Sequence, residues 1–292
     1  MMFQRNFLLF SLFLLFNFIL HGQTTFPTNG IKEKNEVYTA ITHATVITGV
    51  SANNQLNILP DATILVHGSF IVEVGNSVKI PSNTRVVDAK GKFIYPAFID
   101  LYSNYGIPKI EETSNGDEYT QTKGAFGWNG AIHSDFSASS VFQINEEEAK
   151  NWRKGGFGTV LSHRFDGIVR GSGVVVNLGN DAHSNMLIPE AAAWYSFNKG
   201  SSNQSYPSSI MGSIALLRQT YCDANWYRNL GNKKTESHLT LEHFNALQSL
   251  PSFFDANDKW NVLRADAVGD EFGTQYIIKG NGTEYQRLKE LK

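Results

Sequence analysis

The 292-residue sequence predicts an α/β protein in which a small β-sandwich precedes a longer region of strands and helices. Two observations predict this class. Residues 37–95 contain short runs rich in β-branched side chains and no helical periodicity, which indicates a small antiparallel sheet or sandwich. Residues 250–291 alternate β-prone and helix-prone segments, which is typical of a parallel sheet covered by helices.

The composition indicates a globular protein and excludes several classes of partner and site. Hydrophobic residues make up 41% of the chain and charged residues 18%, so a packed core is available. Lys and Arg number 25 against 27 Asp and Glu, which predicts no nucleic-acid partner. Because Cys222 is the only cysteine, neither an intrachain disulfide nor a thiolate metal cluster can form.

The amino terminus predicts a signal peptide over residues 1–22. Arg5 precedes an apolar run over residues 7–20, which is too short as a helix for the ~30 Å hydrocarbon core of a bilayer. Cleavage before Gln23 would leave no membrane anchor, and residues 23–36 would form a polar lead-in. We therefore expect an exported protein, either periplasmic or extracellular.

Within residues 37–95 the strand-like runs are 38–49, 62–75 and 84–95. His67-Gly68-Ser69 divides the second run, which predicts a β-hairpin there. No helical pattern interrupts this segment, so we expect it to fold as one small β-unit.

Residues 96–292 begin with a mixed pattern. Asn145 followed by Glu148 predicts the start of a helix that ends at Gly155-Gly156. Residues 157–163 and 167–179 read as strands, and 212–230 as a helix with one buried face. The later segments are then strand (250–255), helix (260–272), strand (275–279) and helix (284–291). Residues 106–142 form a long connection, a length typical of functional loops.

The sequence contains none of three highly specific catalytic or nucleotide-binding motifs. It contains no G-x-S-x-G, G-x-x-x-x-G-K-[ST] or G-x-G-x-x-G pattern, so nothing predicts a serine hydrolase, a P-loop ATPase or a dinucleotide enzyme.

The segment VVDAKGKFIYPAFIDLYSN (86–104) resembles the start of the barrel in the amidohydrolase superfamily, where Gly-Lys-x-x-x-Pro-Gly-Phe-Ile-Asp leads into a His-x-His pair. The hairpin ILVHGSFIVEVG (64–75) is similar to the small β-sandwich of that superfamily. Residues 206–227 and 253–285 resemble its exported, imidazolonepropionase-like branch. On these residues the chain is identified as the amino-terminal portion of such a protein.

The resemblance implies a (β/α)8 barrel that holds zinc or another divalent metal at its carboxyl face and activates water to attack a C–N bond. The two histidines of the family align here with Tyr102 and Asn104, and neither a phenol nor an amide replaces imidazole well. The next two histidine positions fall near Asp255 and Lys279, of which Asp255 alone could bind metal. We therefore expect a degenerate metal site and no cofactor for this chain.

The resemblance also implies an incomplete barrel. The region after Pro96 is shorter than the ~250 residues of an ordinary eight-stranded barrel. We expect a continuation of the chain, or a partner chain, to complete it, and the leading hypothesis is a truncated or amino-terminal segment that scaffolds an active region.

Two other functions remain open. One is a working hydrolase that uses an unrecognised site built from Asp100, His163 and Asp255. The other is a non-catalytic extracytoplasmic module that binds peptides or glycans through aromatic side chains, for which the candidates are Trp128, Trp194, Trp226 and Trp260.

Overall fold

The computed structural model describes residues 37–109, 129–179 and 186–291. The chain divides into two compact units, Met1–Pro96 and Ala97–Lys292. The predicted signal peptide 1–22, the lead-in 23–36 and Trp128 lie outside the described residues. Within those described ranges, no helix combines the length and apolarity needed to cross a bilayer.

The first unit is a five-stranded mixed β-sheet. Its strands are β1 (Tyr38–Val50), β2 (Leu56–His67), β3 (Phe70–Gly75), β4 (Arg85–Asp88) and β5 (Phe93–Ile94). β2 pairs antiparallel with both β1 and β3, whereas β4 and β5 pair parallel with β1. The sandwich-like β-unit predicted from the sequence is thus confirmed, with parallel pairs added to the expected antiparallel ones.

The predicted hairpin is present between β2 and β3. His67 pairs with Phe70, so Gly68 and Ser69 form the two-residue turn. Gly68 has a φ of +58°, a left-handed conformation that glycine adopts without steric cost. Small and β-branched side chains of β1 and β2 form the core of this unit: Ala44, Val46, Ala62 and Ile64.

The second unit contains a six-stranded sheet and five α-helices within its described residues. The strands are β6 (Phe98–Ser103), β7 (Phe157–Ser162), β8 (Val169–Asn177), β9 (Met186–Ser196), β10 (Ser252–Asp255) and β11 (Tyr276–Lys279). The helices are α1 (Ala138–Val141), α2 (Glu146–Lys154), α3 (Ile210–Asn229), α4 (Leu239–Leu247) and α5 (Lys259–Phe272).

The sheet has the order β11-β10-β9-β8-β7-β6 and is curled like part of a barrel. β6 and β7 pair in parallel, as do β9, β10 and β11. Among the described strands β6 and β11 end the sheet and do not pair with each other. The predicted incomplete barrel is confirmed as the architecture of this unit.

Two strands differ from the sequence expectation. β8 runs antiparallel to both neighbours, so the sheet is mixed rather than wholly parallel. β9 was not predicted, because its Pro189-Glu190-Ala191 stretch lacks the β-branched residues that mark strands. The buried residues 192–196 of β9 nevertheless occupy the centre of the sheet.

The helix predictions are confirmed where capping or a buried face supports them. The Asn145 side chain accepts a hydrogen bond from the Glu148 N–H at 3.2 Å, which caps α2 as predicted. In α3, the predicted face is buried at Leu217, Tyr221 and Ala224. Buried side chains of α3, α4 and α5 pack with those of β8, β9 and β10 in the main core.

Two further expectations need correction. The sequence predicts a helix over residues 284–291, but only Glu284–Arg287 form a 3₁₀-helix, whose start has no side-chain cap. The long connection 106–142 is partly structured. Its described residues 129–142 include α1 and form β-bridges to β8 at Ile132–Val169 and Ser137–Ser172.

Candidate functional site

Five side chains meet where the parallel strands of the second unit end, and we call them the barrel-mouth cluster: Tyr102, His163, Arg170, Asp255 and Lys279. Tyr102 lies near the end of β6, His163 directly follows β7, and Asp255 and Lys279 end β10 and β11. Because β8 runs in the opposite direction, its second residue, Arg170, reaches the same edge. In barrels of parallel strands this edge carries the functional groups.

Asp255 is the centre of the barrel-mouth cluster. Its Oδ2 accepts hydrogen bonds from the Tyr102 hydroxyl at 2.8 Å and from Arg170 Nη1 at 3.0 Å. Its Oδ1 lies 3.2 Å from Lys279 Nζ. The Arg170 side chain is only 4% exposed and that of Asp255 14%, so this ion pair is largely shielded from water. Both carboxylate oxygens are therefore engaged by protein groups.

These contacts explain how the cluster ionises. Burial opposes ionisation of Asp255, but the hydrogen bond from Tyr102 and the charges of Arg170 and Lys279 outweigh it and lower the pKa of that carboxyl. Burial and the adjacent Asp255 carboxylate raise the pKa of Tyr102 to about 12. At neutral pH the site therefore holds one carboxylate, two cations and a neutral phenol.

Aromatic side chains stack on two members of the cluster, His163 and Tyr102. The fully buried His163 ring stacks on Trp194 with centroids 3.6 Å apart and 3° between the planes. Trp194 in turn stacks on Phe253 at 4.7 Å, and Tyr102 stacks on Phe165 at 4.5 Å. Apolar and aromatic neighbours of this kind favour an uncharged imidazole.

His163 is unsuited to act as a charged group. Burial, followed by the positive charges of Arg170 and Lys279, holds its pKa well below the ordinary value. Neither ring nitrogen has a hydrogen-bond partner among the described residues. Its backbone N–H donates to the Ser103 carbonyl at 2.9 Å, which joins the ends of β7 and β6.

Two other predicted residues lie near the cluster without joining it. Asp100 is on β6, where its Oδ1 accepts a hydrogen bond from the Tyr102 backbone N–H at 3.1 Å. Asn104 is exposed just beyond β6 and lines a separate cavity of about 370 Å³ together with Arg164 and Asp166. Of the predicted trio, the structure thus places His163 and Asp255 at the barrel mouth and gives Asp100 a backbone contact.

The residues at the barrel mouth do not fit a divalent metal. Zinc requires several convergent imidazole, thiolate or carboxylate donors, and the described part of the chain contains no group of three or more such residues. Asp255 is the only carboxylate of the cluster, and it already contacts a guanidinium and an ammonium. A metal ion placed there would face two positive charges within ion-pair distance of its one anionic ligand.

A second buried carboxylate, Asp166, follows β7 and ties two loops together. Its Oδ2 lies 2.9 Å from Arg164 Nη2 and 3.2 Å from His133 Nε2, and its Oδ1 accepts from the Ser201 N–H at 2.5 Å. Burial opposes its ionisation, but these partners hold the pKa of the carboxyl well below its usual range. Gly200 is required beside it, since a Cβ there would lie 2.1 Å from Asp166 Oδ1.

A cavity of about 330 Å³ opens beside the barrel-mouth cluster, between the ends of β8, β9 and β10. Arg170 and Asp255 form one wall. Its other lining residues are mostly polar and neutral: Ser196, Phe197, Asn198, Ile210, Asn257 and Asn261.

Sequence reasoning missed Arg170 and Trp194 as parts of this site. The signal for Arg170 was present, because a charged residue within the apolar run GIVRGSG must be buried beside a counter-charge if that run is an interior strand. The sequence suggests Trp194 only as an aromatic surface for ligands, whereas its side chain is fully buried.

Comparison with known proteins supports the fold. No protein-family model matches the chain. A 70-residue segment, 23% of the chain, is 34% identical to 18% of the imidazolonepropionase of Streptomyces griseus subsp. griseus. Among solved structures, an amidohydrolase from Thermotoga maritima MSB8 superposes with a TM-score of 0.64 at 22% identity, over 86% of this chain and 66% of that one.

A D-hydantoinase (dihydropyrimidinase) from Thermus sp. gives a TM-score of 0.30 at 11% identity, over 83% of this chain and 57% of that one. The likeness to the Thermotoga protein shows that the chain has the amidohydrolase fold, as its sequence motifs predicted. The chain spans just under two thirds of that structure, and its match spans less than a fifth of the imidazolonepropionase.

Proposed function

We propose that this chain is a member of the amidohydrolase superfamily whose own metal site is degenerate and which scaffolds an active region supplied by further polypeptide. One observation carries the proposal. Asp255, the one carboxylate of the barrel-mouth cluster, is bound by Tyr102, Arg170 and Lys279 rather than left open to a metal ion.

The chemistry of this arrangement argues against hydrolysis by the chain alone. Metal-assisted amide hydrolysis needs a cation with an open coordination position that lowers the pKa of bound water. Arg170 and Lys279 supply positive charge but no coordination position, and His163 is buried with an unfavourable environment for protonation. The cluster is therefore suited to hold strand ends together and to present charge.

The ends of the sheet support a role for further polypeptide. On the end strand β6, the side chains of Phe98, Ile99 and Leu101 are 65%, 63% and 51% exposed, and Ile277 on β11 is 47% exposed. Parallel strands with apolar side chains are normally covered on both faces and at their edges. We propose that a continuation of this chain, or a partner chain, pairs with these strands and completes the barrel.

Export is part of the proposal. The apolar run at residues 7–20 supports removal of a signal peptide and a location in the periplasm or outside the cell. The intact mass of the protein purified from its natural compartment tests this, since we expect a mature amino terminus at Gln23. An unprocessed amino terminus would contradict it.

Two alternatives are less well supported by the geometry. A working hydrolase built on Asp100, His163 and Asp255 would need a reactive nucleophile or base, yet Asp100 contacts a backbone N–H and Asp255 is held in ion pairs. A binding module that uses Trp194 would need that side chain at the surface, where it does not lie, whereas Trp226 and Trp260 are 60% and 48% exposed and stay candidates for such a role.

Hydrolysis of N-acyl amino acids and cyclic imides by the purified full chain, with added zinc, tests the proposal directly. We expect no turnover above that of an Asp255→Asn variant, and no zinc retained after dialysis. Turnover together with about one zinc per chain, both lost in the variant, would contradict it. The gene sequence beyond the Lys292 codon tests the partner, because we expect an in-frame continuation or an adjacent reading frame that encodes an intact His-x-His pair.

A further inference from the structure

The cavity between the ends of β8, β9 and β10 presents hydrogen-bond donors. Arg170 uses Nε on the Gly167 carbonyl at 3.3 Å and Nη1 on Asp255, and a guanidinium has five N–H donors in all. At the rim, the exposed side chains of Asn198 and Asn257 use only their Oδ1 atoms, which accept from Gly200 and Asn261. Their amide nitrogens donate to no residue within the described ranges.

Arg170 and Asp255 are the charged residues that line the cavity, and a second positive charge comes from Lys279, which contacts Asp255 Oδ1 and does not line it. Arg170 and Lys279 together carry two positive charges against the single negative charge of Asp255. Arg170 is almost wholly buried, so water and dissolved ions screen its charge less than they would at the surface. A ligand that brought one negative charge would therefore balance the cluster.

The remaining walls limit what can enter. The Phe197 side chain is nearly buried and Ile210 is partly exposed, so both offer an apolar surface. A volume of about 330 Å³ lies at the lower end of the range for small-molecule sites, which suits a small ligand.

We propose that this cavity binds a small oxyanion, and specifically the carboxylate of a small organic acid, through Arg170 and the Asn198 and Asn257 amides, with the apolar part of the ligand against Phe197. The inference rests on the proposed function in one respect, because a metal ion on Asp255 would displace Arg170 from that carboxylate. No bond is made or broken, so the site is one of recognition.

Isothermal titration calorimetry of the full chain with N-acetylleucine and with N-acetylleucinamide at low salt and neutral pH tests the inference. The two probes match in shape and differ in charge. We expect the acid to bind and the amide to bind at least about tenfold more weakly, since it offers no charge to Arg170. Raising the ionic strength should weaken binding of the acid.

Asn198→Asp and Asn257→Asp place a carboxylate at the rim while keeping the Oδ1 acceptors that Gly200 and Asn261 use. Each should weaken binding of N-acetylleucine about tenfold by charge repulsion. Asn225→Asp is the matched control: it lies on α3 outside the cavity lining, its Oδ1 accepts from Arg228, and its exchange should leave binding unchanged.

Inorganic phosphate serves as a second probe to identify the source of the oxyanion. Binding of phosphate with the same sensitivity to the rim variants, and no binding of N-acetylleucine, would support the oxyanion site and assign it to phosphate. Equal binding of acid and amide, binding of neither anion, or rim variants that behave like Asn225→Asp would overturn the inference. Absence of both zinc and oxyanion binding would overturn this inference alone, whereas tight zinc binding would refute the proposed function.

Discussion

Replacing Asp255 with asparagine removes the negative charge that Arg170 and Lys279 share while keeping the size of the side chain. The Arg170 Nη1 atom lies 3.0 Å from Asp255 Oδ2, and unit charges at that separation attract by about 5 kcal/mol at an effective dielectric constant of ~20. The asparagine oxygen retains part of this attraction. Lys279 is 38% exposed, so solvent weakens its share.

We therefore expect Asp255→Asn to lower the free energy of unfolding by about 3 kcal/mol, the loss typical when a buried ion pair loses one partner. Urea unfolding followed by tryptophan fluorescence measures it, because Trp194 lies beside the site. Glu271→Gln is the matched control, since its ion pair with Arg218 is close at 2.6 Å but both side chains are at least 40% exposed. That change should cost less than about 1 kcal/mol. Equal losses in the two variants would refute the reasoning.

Two further changes test other parts of the site. His163→Phe should keep the stack on Trp194 and remove two unpartnered nitrogens, so we expect thermal unfolding to show a gain of about 1–2 kcal/mol; a comparable loss would mean that those nitrogens bind something. Because the folded-state pKa values of Asp166 and Asp255 are lowered, their stabilisation is complete above the ordinary pKa of 3.8 and is lost as the pH falls below it. Asp166→Asn should consequently flatten the fall in urea midpoint below about pH 4, and an unchanged slope would contradict the assignment.

The sequence was sufficient to predict most elements with a local signal. The Asn145 cap, the turn at Gly68 and the buried face of α3 depend on residues that are close in the sequence, so the sequence alone predicts them. β9 and the reversed direction of β8 depend instead on tertiary pairing. Ala192 and Ala193 have little intrinsic preference for strands, but both are buried and pair with β8, and Ala193 also pairs with β10.

The site was partly predictable for the same reason. Tyr102 and Asp255 were identified because a family motif and a strand end mark their positions. The side chains that bind them come from distant parts of the sequence. Arg170 lies 85 residues before Asp255, and its local sequence does not indicate which carboxylate it binds. In the family motif a glycine usually follows the proline, and Ala97 takes its place here. The Ala97 Cβ lies against Gly158, which has no side chain, so the residue that leaves room for it is distant in the sequence.

Zinc-edge anomalous diffraction from crystals of the full chain grown with zinc tests the central claim most directly. The account predicts no anomalous peak near Asp255, with Arg170 and Lys279 still at ion-pair distance from its carboxylate. A peak bound by Asp255 and His163, with the two cations turned away, would contradict it.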